Sequence, residues 1–300
     1  MSGLASVVIP AHNEQNVIGR CLRRVLTGLP AGAQVVVVCN GCSDATADIA
    51  RTFGDLVTVV ELSQPSKTAA LNTGDGIAQG FPRAYVDADV EVTGYDLDLV
   101  SRQLSATGAL GGAPVMIADT SRGSWAVRAY YRHWATTPYR QDSPLGSGVY
   151  VLSAAGRARF DEFPAIIADD LFVYRQLTAG ERLTGSSGTF VIHPPTNVRD
   201  LVSIKARARA GERELAHAAR KGVLSDGVHL HPATPFRLQA QRSGHALGRI
   251  RTTLDFLVFL SIRMLARLRN IRRHPAGDEQ VWHRDESSRS PTVEQFPIGM

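Results

Sequence analysis

Four apolar runs at nearly even spacing constrain this chain more than anything else in it. Ala5–Pro10 (ASVVIP), Gln34–Cys39 (QVVVVC), Leu56–Glu61 (LVTVVE) and Arg83–Val86 (RAYV) are short, mostly β-branched and separated by helical patterns. Three of them lack polar alternation, which predicts strands buried on both faces and therefore a mostly parallel sheet with helices on each side. The intervening patterns predict a helix through AHNEQNVIGRCLRRVL with Asn13 as its N-cap, a second from about Ala45, and a third starting near Ser66-Lys67-Thr68.

In such sheets ligands bind beyond the carboxyl ends of the strands. Every unusual polar cluster of the first ninety residues falls there: His12-Asn13-Glu14, Asn40 to Asp44, Ser66-Lys67 and Asp87-Ala88-Asp89. Positions two apart on an extended chain point the same way, so Asp87 and Asp89 can converge on one cation. Hard carboxylate oxygens suit Mg²⁺ or Mn²⁺, with a phosphate-bearing substrate completing the shell. A helix start joined to Lys67 makes an anion site. Each cluster taken singly also reads as a solvated turn or an ordinary cap, and it is their arrangement along one sheet edge that favours a site.

The second half predicts further elements. Arg122–Ala135 reads as a helix with Trp125, Ala129 and His133 on one stripe, more in the manner of core packing than of a binding surface. Gly146-Ser147-Gly148 lacks a third glycine and enters a strand, so it is no dinucleotide fingerprint; it is a tight turn or a close backbone approach to a ligand. Asp169 and Asp170 precede LFVYRQL and so sit at a helix N-terminus, where they stabilise the dipole or supply a general base. A strand over Thr189–His193 puts His193 at its carboxyl end, as a structural histidine or a third metal ligand. A basic helix from Asn197 to Lys221 carries Arg199, Arg207, Arg209 and Arg213, either as a solvated face or as a clamp on a diphosphate.

These segments together resemble glycosyltransferase family 2. IPAHNE looks like that family's first-strand signature, with His12 in place of its tyrosine. CNGCSDAT, SKTAALNTG, DAD, GSGVYVLSAAGRARF and ADDLFVYRQL look like its later motifs in the right order, over roughly residues 4 to 215. The resemblance implies a glycosyltransferase-A fold: α/β, with a mostly parallel Rossmann-like central sheet, helices on both faces and a C-terminal helical extension. It implies an inverting, Mg²⁺- or Mn²⁺-dependent transfer of a sugar, of the hexosyl type, from a nucleotide-diphospho-sugar to a hydroxyl acceptor on a glycan, lipid or small molecule. The implied metal ligands are Asp89, Asp87 and His193; the implied base is Asp170, with Asp169 beside it. Pro10, His12, Glu14, Asn40, Asp44, Lys67, Asn72, Asp87, Gly148, Arg207 and Arg209 are implied in substrate binding. The chain departs from the family where a base-contacting carboxylate is expected, at Cys39 or Asn40, and in lacking the Arg-Trp pair of processive members around Lys205–Arg209.

The expected domains are a catalytic unit over 1–221, with a donor half to about 110 and an acceptor half after it, and a linker, amphipathic helix and tail over 222–300. A 300-residue chain with 44% hydrophobic residues can bury a sizeable core. Its net charge of +5 rests on arginine, because Lys67, Lys205 and Lys221 are the only lysines, and it fits anionic substrates or an acidic membrane surface. No nucleic-acid reader motif is present. Leu254–Leu265 (LDFLVFLSIRML) is too short to span a bilayer. With arginines flanking it over 249–273, it is expected either to lie in an anionic membrane interface or to dock on the domain or a second subunit. Gly222–Gly244 reads as a linker, and the tail from Pro275 as loosely ordered apart from VWHRDESSR.

The first strand begins directly, without a leader pattern, and the three cysteines are few and odd in number. Both point to a cytoplasmic protein, either free or on the inner face of the membrane. Cys39-x-x-Cys42 has redox spacing but lies in a turn whose flanks match the sugar-nucleotide pattern. Two rival functions share the fold: a sugar-phosphate nucleotidyltransferase, whose glycine- and arginine-rich signature HNEQNVIGR does not supply, and a non-catalytic scaffold.

Overall fold

The computed structural model describes residues 3–137, 145, 147–221, 230–231 and 246–272. Most of the expected linker and the whole of the expected tail lie outside the described residues, as do Arg273, Gly146 and the side chain of Arg249. The central sheet has six strands: β1 (Ser6–Ala11), β2 (Gln34–Asn40), β3 (Thr58–Leu62), β4 (Arg83–Val86), β6 (Gly111–Gly112) and β8 (Val149–Leu152), in the order β3-β2-β1-β4-β8-β6. The first four are mutually parallel, in the register Val7↔Val35, Val37↔Val59 and Val8↔Tyr85, whereas β8 runs antiparallel to β4. A second sheet joins β5 (Glu91–Val92), β7 (Val115–Ala118) and β9 (Thr189–Ile192), with β9 in the middle.

The alternation of side chains across the strands explains why the runs are continuously apolar. Val7, Ile9, Val35 and Val37 face one core, with α1 (Ile18–Leu26) and α4 (Gly94–Thr107) packed on it. Val8, Val36, Val38, Tyr85 and Tyr150 face another, covered by α3 (Lys67–Ile77) and α6 (Asp169–Gln176). Gly74 lets α3 sit tight on the sheet, since a Cβ there would lie 2.5 Å from Val8 Cγ1. Short α2 (Thr46–Arg51) closes the β2–β3 crossover.

A third core brings α5 (Trp125–Trp134), α7 (Val198–Lys221) and α8 (Ala246–Arg272) together through Val127, Tyr130, Leu201, Phe259, Ile262 and Ala266. Arg132 grips Asp255 through two hydrogen bonds of 2.8 and 2.6 Å. The C-terminal helix is thus more than twice the length of the apolar stretch that announced it, because its arginine-bearing turns continue the same helix. One face is docked, while Leu254, Leu257, Met264 and Leu268 stay exposed on the other. No described helix is long and apolar enough to cross a membrane.

Two local expectations change. Asn13 does not cap α1: it takes a left-handed φ of 52° and its side chain accepts the Ser43 N–H at 2.6 Å, so the chain turns once more before α1 starts at Ile18. On α5 the buried residues are Val127, Ala129, Tyr130 and Tyr131, so Ala129 is buried as expected, while Trp125 is 56% exposed and His133 packs on Phe259 of α8 at 4.8 Å. The stripe is displaced because the face is set by α7 and α8, which the local pattern does not contain.

Candidate active site

β4 ends at Val86, and Asp87 to Val90 form a turn closed by Val90 N–H donating to Asp87 O at 3.2 Å. Strand alternation therefore does not aim Asp87 and Asp89; the turn does, with Ala88 buried in the core between them. Both carboxylates line a cleft of about 530 Å³ at the carboxyl end of the parallel strands, together with Lys67, Gly148, Asp169, Asp170, His193, Arg207 and Arg209. Nine of the residues singled out in the sequence therefore share one cavity.

Lys67 is its electrostatic centre. Its Nζ lies 2.7 Å from Asp87 Oδ1 and 2.9 Å from Asp169 Oδ1, so one ammonium joins the end of β4 to the start of α6. Ser66 caps α3 by accepting the Ala69 N–H at 3.2 Å, which fixes where the lysine leaves the helix. Burial disfavours the Lys67 charge, but Asp169, Asp87 and Asp170 outweigh it and hold its pKa above the ordinary lysine range. Burial raises Asp87 to about 6 against the opposing pull of Lys67. Burial likewise raises Asp169, which is 3% exposed, with Lys67 pulling the other way and Asp170 adding to the rise.

Asp170 is held differently. Its Oδ2 accepts the main-chain N–H of Ser147 at 3.0 Å, and Ser147 takes φ +65° to present that group. The next residue, Gly148, has φ +94°; a Cβ there would come within 2.9 Å of Val90 Cγ1 and 3.3 Å of Asp87 Oδ2. Its carbonyl accepts the Asp87 N–H at 2.7 Å. The glycine's close approach is to the Asp87 turn, and its main chain fastens that turn in place.

Pro10, His12, Glu14, Asn40, Asp44 and Asn72 do not line this cleft. Pro10 is buried within β1. Buried Asn40 donates to Ala11 O at 2.8 Å and accepts the Ser66 N–H at 3.1 Å, so its amide is occupied in joining β1, β2 and the start of α3. His12 Nδ1 meets the carbonyl of Asn40. Asp44 accepts the Thr46 N–H at 3.0 Å and the Gln15 N–H at 3.2 Å, and buried Glu14 donates its own N–H to the Thr46 hydroxyl at 2.6 Å. Asn72 exchanges two hydrogen bonds with the main chain of Phe163, at 3.0 and 2.8 Å. These groups tie loops together beside the cleft. All three cysteines are free thiols.

Asp87 and Asp89 offer two hard carboxylates, and no group of three or more His, Cys, Asp or Glu suited to a metal occurs among the described residues. That fits Mg²⁺ or Mn²⁺, which take one or two carboxylates and fill the shell with phosphate oxygens and water. His193 lines the cleft, but its Nε2 meets Glu91 Oε1 at 2.6 Å and its Nδ1 lies 3.6 Å from Asp119 Oδ2. The pairing of β5 with β9 brings Glu91 and His193 together, so the ring supports the cleft wall.

The sequence pointed to the turn that holds Ser147 but gave no role to its N–H, to Arg263 or to the aromatic wall of Tyr130, Tyr131 and Trp134 that also lines the cleft. Spacing four apart, Tyr130 to Trp134, was the available signal.

A family model described as Glycosyl transferase family 2 matches residues 6–162. Among curated proteins, the chain is 33% identical over 125 residues to glycosyltransferase AglE of Haloferax volcanii, covering 36% of this chain and 41% of that one. It is 29% identical over 87 residues to glycosyltransferase GlyA of Streptococcus pneumoniae serotype 4, covering 28% of this chain and 12% of that one. The match thus spans about two fifths or less of each relative. Glucosyl-3-phosphoglycerate synthase from Mycobacterium tuberculosis, solved with Mn²⁺, UDP and glucosyl-3-phosphoglycerate, shares the fold at TM-score 0.51 and 19% identity, over 75% of this chain and 82% of that one. S. aureus TarS 1–349, solved with UDP-GlcNAc, shares it at TM-score 0.51 and 15% identity, over 68% and 66%.

Proposed function

Because the chain belongs to glycosyl transferase family 2, we propose that it transfers a sugar, of the hexosyl type, from a nucleotide-diphospho-sugar to a hydroxyl acceptor. The observation that carries the reading is the single cleft in which Lys67 joins Asp87 to Asp169 while Asp89 and Asp170 stand on the same walls. Asp89, assisted by Asp87, would hold Mg²⁺ or Mn²⁺. When bound, such a cation neutralises the diphosphate and favours its departure. Arg207, exposed on the cleft side of α7, reaches for the same phosphates.

Asp170 is the general base. The Ser147 N–H fixes its carboxylate, which takes the proton of the acceptor hydroxyl as that oxygen attacks the anomeric carbon. Attack comes from the face opposite the leaving diphosphate, so the configuration inverts. Asp169, locked to Lys67, keeps the start of α6 in place rather than exchanging a proton. Residues 1–221 form the catalytic unit, with the donor half up to about 110 and the acceptor half after it. The exposed leucine face of α8, flanked by Arg251, Arg267 and Arg269, rests on an anionic membrane surface.

The test is a panel of nucleotide sugars, UDP-linked first, scored for thermal stabilisation with and without Mn²⁺. A donor that raises the melting temperature only with the metal is expected. No response to any member of the panel would sink the reading.

A further inference from the structure

The far wall of the cleft carries positive charge that neither proton transfer nor the cation site uses. The Lys205 ammonium lies 5.1, 5.4 and 5.6 Å from the ring centroids of Trp134, Tyr130 and Tyr131. Three ring faces stabilise a cation, yet among the described residues no carboxylate lies within ion-pair distance of it. One turn further along α7, Arg209 shares its stripe, and Arg209 Nη1 donates to the main-chain carbonyl of Arg263 at 3.3 Å. The Arg263 guanidinium stands over the Phe259 ring at 5.4 Å. Two helices thus bring three cations to one cavity, which Asp170 and Glu212 line as well.

Holding like charges together in this way is unfavourable. Burial, reinforced by Arg263, lowers Lys205 to about 8 in spite of Asp170 and Glu212. Burial and Arg263 likewise lower Arg209. An anion on this wall would relieve the repulsion. Two guanidinium forks and an ammonium match the three oxygens and double charge of a phosphate better than a single carboxylate.

The geometry points to a phosphate subsite: Lys205, Arg209 and Arg263 hold a phosphate group carried by the acceptor, so that its hydroxyl faces Asp170. This rests on the transferase reading above and names its acceptor class, a phosphorylated alcohol. The phosphate is that of a soluble ester or of a lipid headgroup.

Binding of inorganic phosphate to the full chain tests the subsite, measured by calorimetry while Mg²⁺ and whichever of UDP, GDP or dTDP stabilises the protein are saturating. Phosphate is expected to bind alongside the nucleotide. Lys205→Met and Arg209→Gln should each weaken phosphate binding by about tenfold or more while nucleotide affinity changes less than about threefold, as for loss of one charge-assisted contact. Phosphate that competes with the nucleotide, or binds both variants as it binds the wild type, overturns the subsite. So does a loss of nucleotide affinity in Lys205→Met, which would assign the lysine to the donor. Lys205-dependent phosphate binding without any nucleotide response would uphold the subsite and remove the donor reading. Retention on phosphatidic acid vesicles over phosphatidylcholine that falls in Lys205→Met assigns the phosphate to a lipid; phosphate binding without such retention assigns it to a soluble ester.

Discussion

Asp170 Oδ2 accepts the main-chain N–H of Ser147 at 3.0 Å, and Ser147 stands in the left-handed region at φ +65° to give it. A loop therefore fixes the Asp170 carboxylate, while its neighbour Asp169 is fixed by Lys67. The two adjacent acids are held by different partners and should respond differently to substitution.

Asp170→Asn keeps the shape and removes the proton acceptor, so turnover should fall by roughly 10² to 10⁴ with donor affinity little changed. Asp169→Asn leaves Lys67 with one carboxylate fewer and should lower stability and donor affinity as well as rate. Calorimetry beside turnover for both variants separates the roles. Normal turnover in Asp170→Asn would move the base elsewhere.

Asp89→Ala removes a hard oxygen ligand and should abolish the metal-dependent part of nucleotide-sugar binding. Titration of Mn²⁺ in the presence of donor reads this directly. Full activity of the variant with chelator present would remove the metal from the mechanism.

Phosphate binding should depend on pH through Lys205. Its ammonium, lowered to about 8, is present below that pH and lost above it, so affinity should fall as pH rises from 7.5 to 9.5. Arg263 on α8, Arg209 and Glu212 on α7, Asp170 on α6 and Tyr130 and Tyr131 on α5 face it. Of these tyrosines, Tyr130 is raised by burial and so stays neutral over this range. Inorganic phosphate is already largely the dianion at the lower limit, so the change reports the protein. Lys205→Arg should flatten the profile, and an unchanged slope in that variant would count against the lysine.

At the other end of β4, Asp75 lies between Arg83 and Arg157, with Arg157 Nε 2.7 Å from Oδ2, and all three side chains are largely buried. Asp75→Ala leaves two guanidinium groups without their shared counter-ion and should cost about 3–5 kcal/mol. Urea denaturation measures it; a loss under about 1 kcal/mol would mean that water reaches the site.

The membrane reading is best tested on the exposed face of α8. Leu257→Gln, Met264→Gln and Leu268→Gln combined should abolish cosedimentation with anionic vesicles and leave the melting temperature nearly unchanged, because these side chains are 52%, 65% and 48% exposed. Vesicle binding that survives, or a dimer that the triple variant splits, would assign the face elsewhere. Deleting the chain from Gly248 onward should instead cost solubility, since it uncovers Tyr130 and Val127.

The parallel sheet was legible because Val7, Val8, Val35 and Val36 each meet an apolar core whichever way they point, and such runs leave few alternatives. The acids were legible because strand ends and helix starts are marked locally. Lys67 was legible as an anion site, but its ion-pair partners are Asp87 and Asp169, brought together by folding from 20 and 102 positions away. The partners of Asn40 and Asn72 within the protein were not legible, because an amide's occupancy depends on a loop that sequence does not place. The third core was least legible: α5, α7 and α8 meet across more than a hundred residues, and none of them alone reveals which stripe will be covered.

The family match ends at residue 162, whereas Lys205, Arg209 and Arg263 lie beyond it on helices that wall the same cavity. If the phosphate subsite holds, acceptor choice is written beyond the stretch by which the family is recognised. On that reading, chains alike over the matched part are free to diverge in what they glycosylate, and a chimera that takes Lys205, Arg209 and Arg263 from another such chain should take its acceptor preference with them.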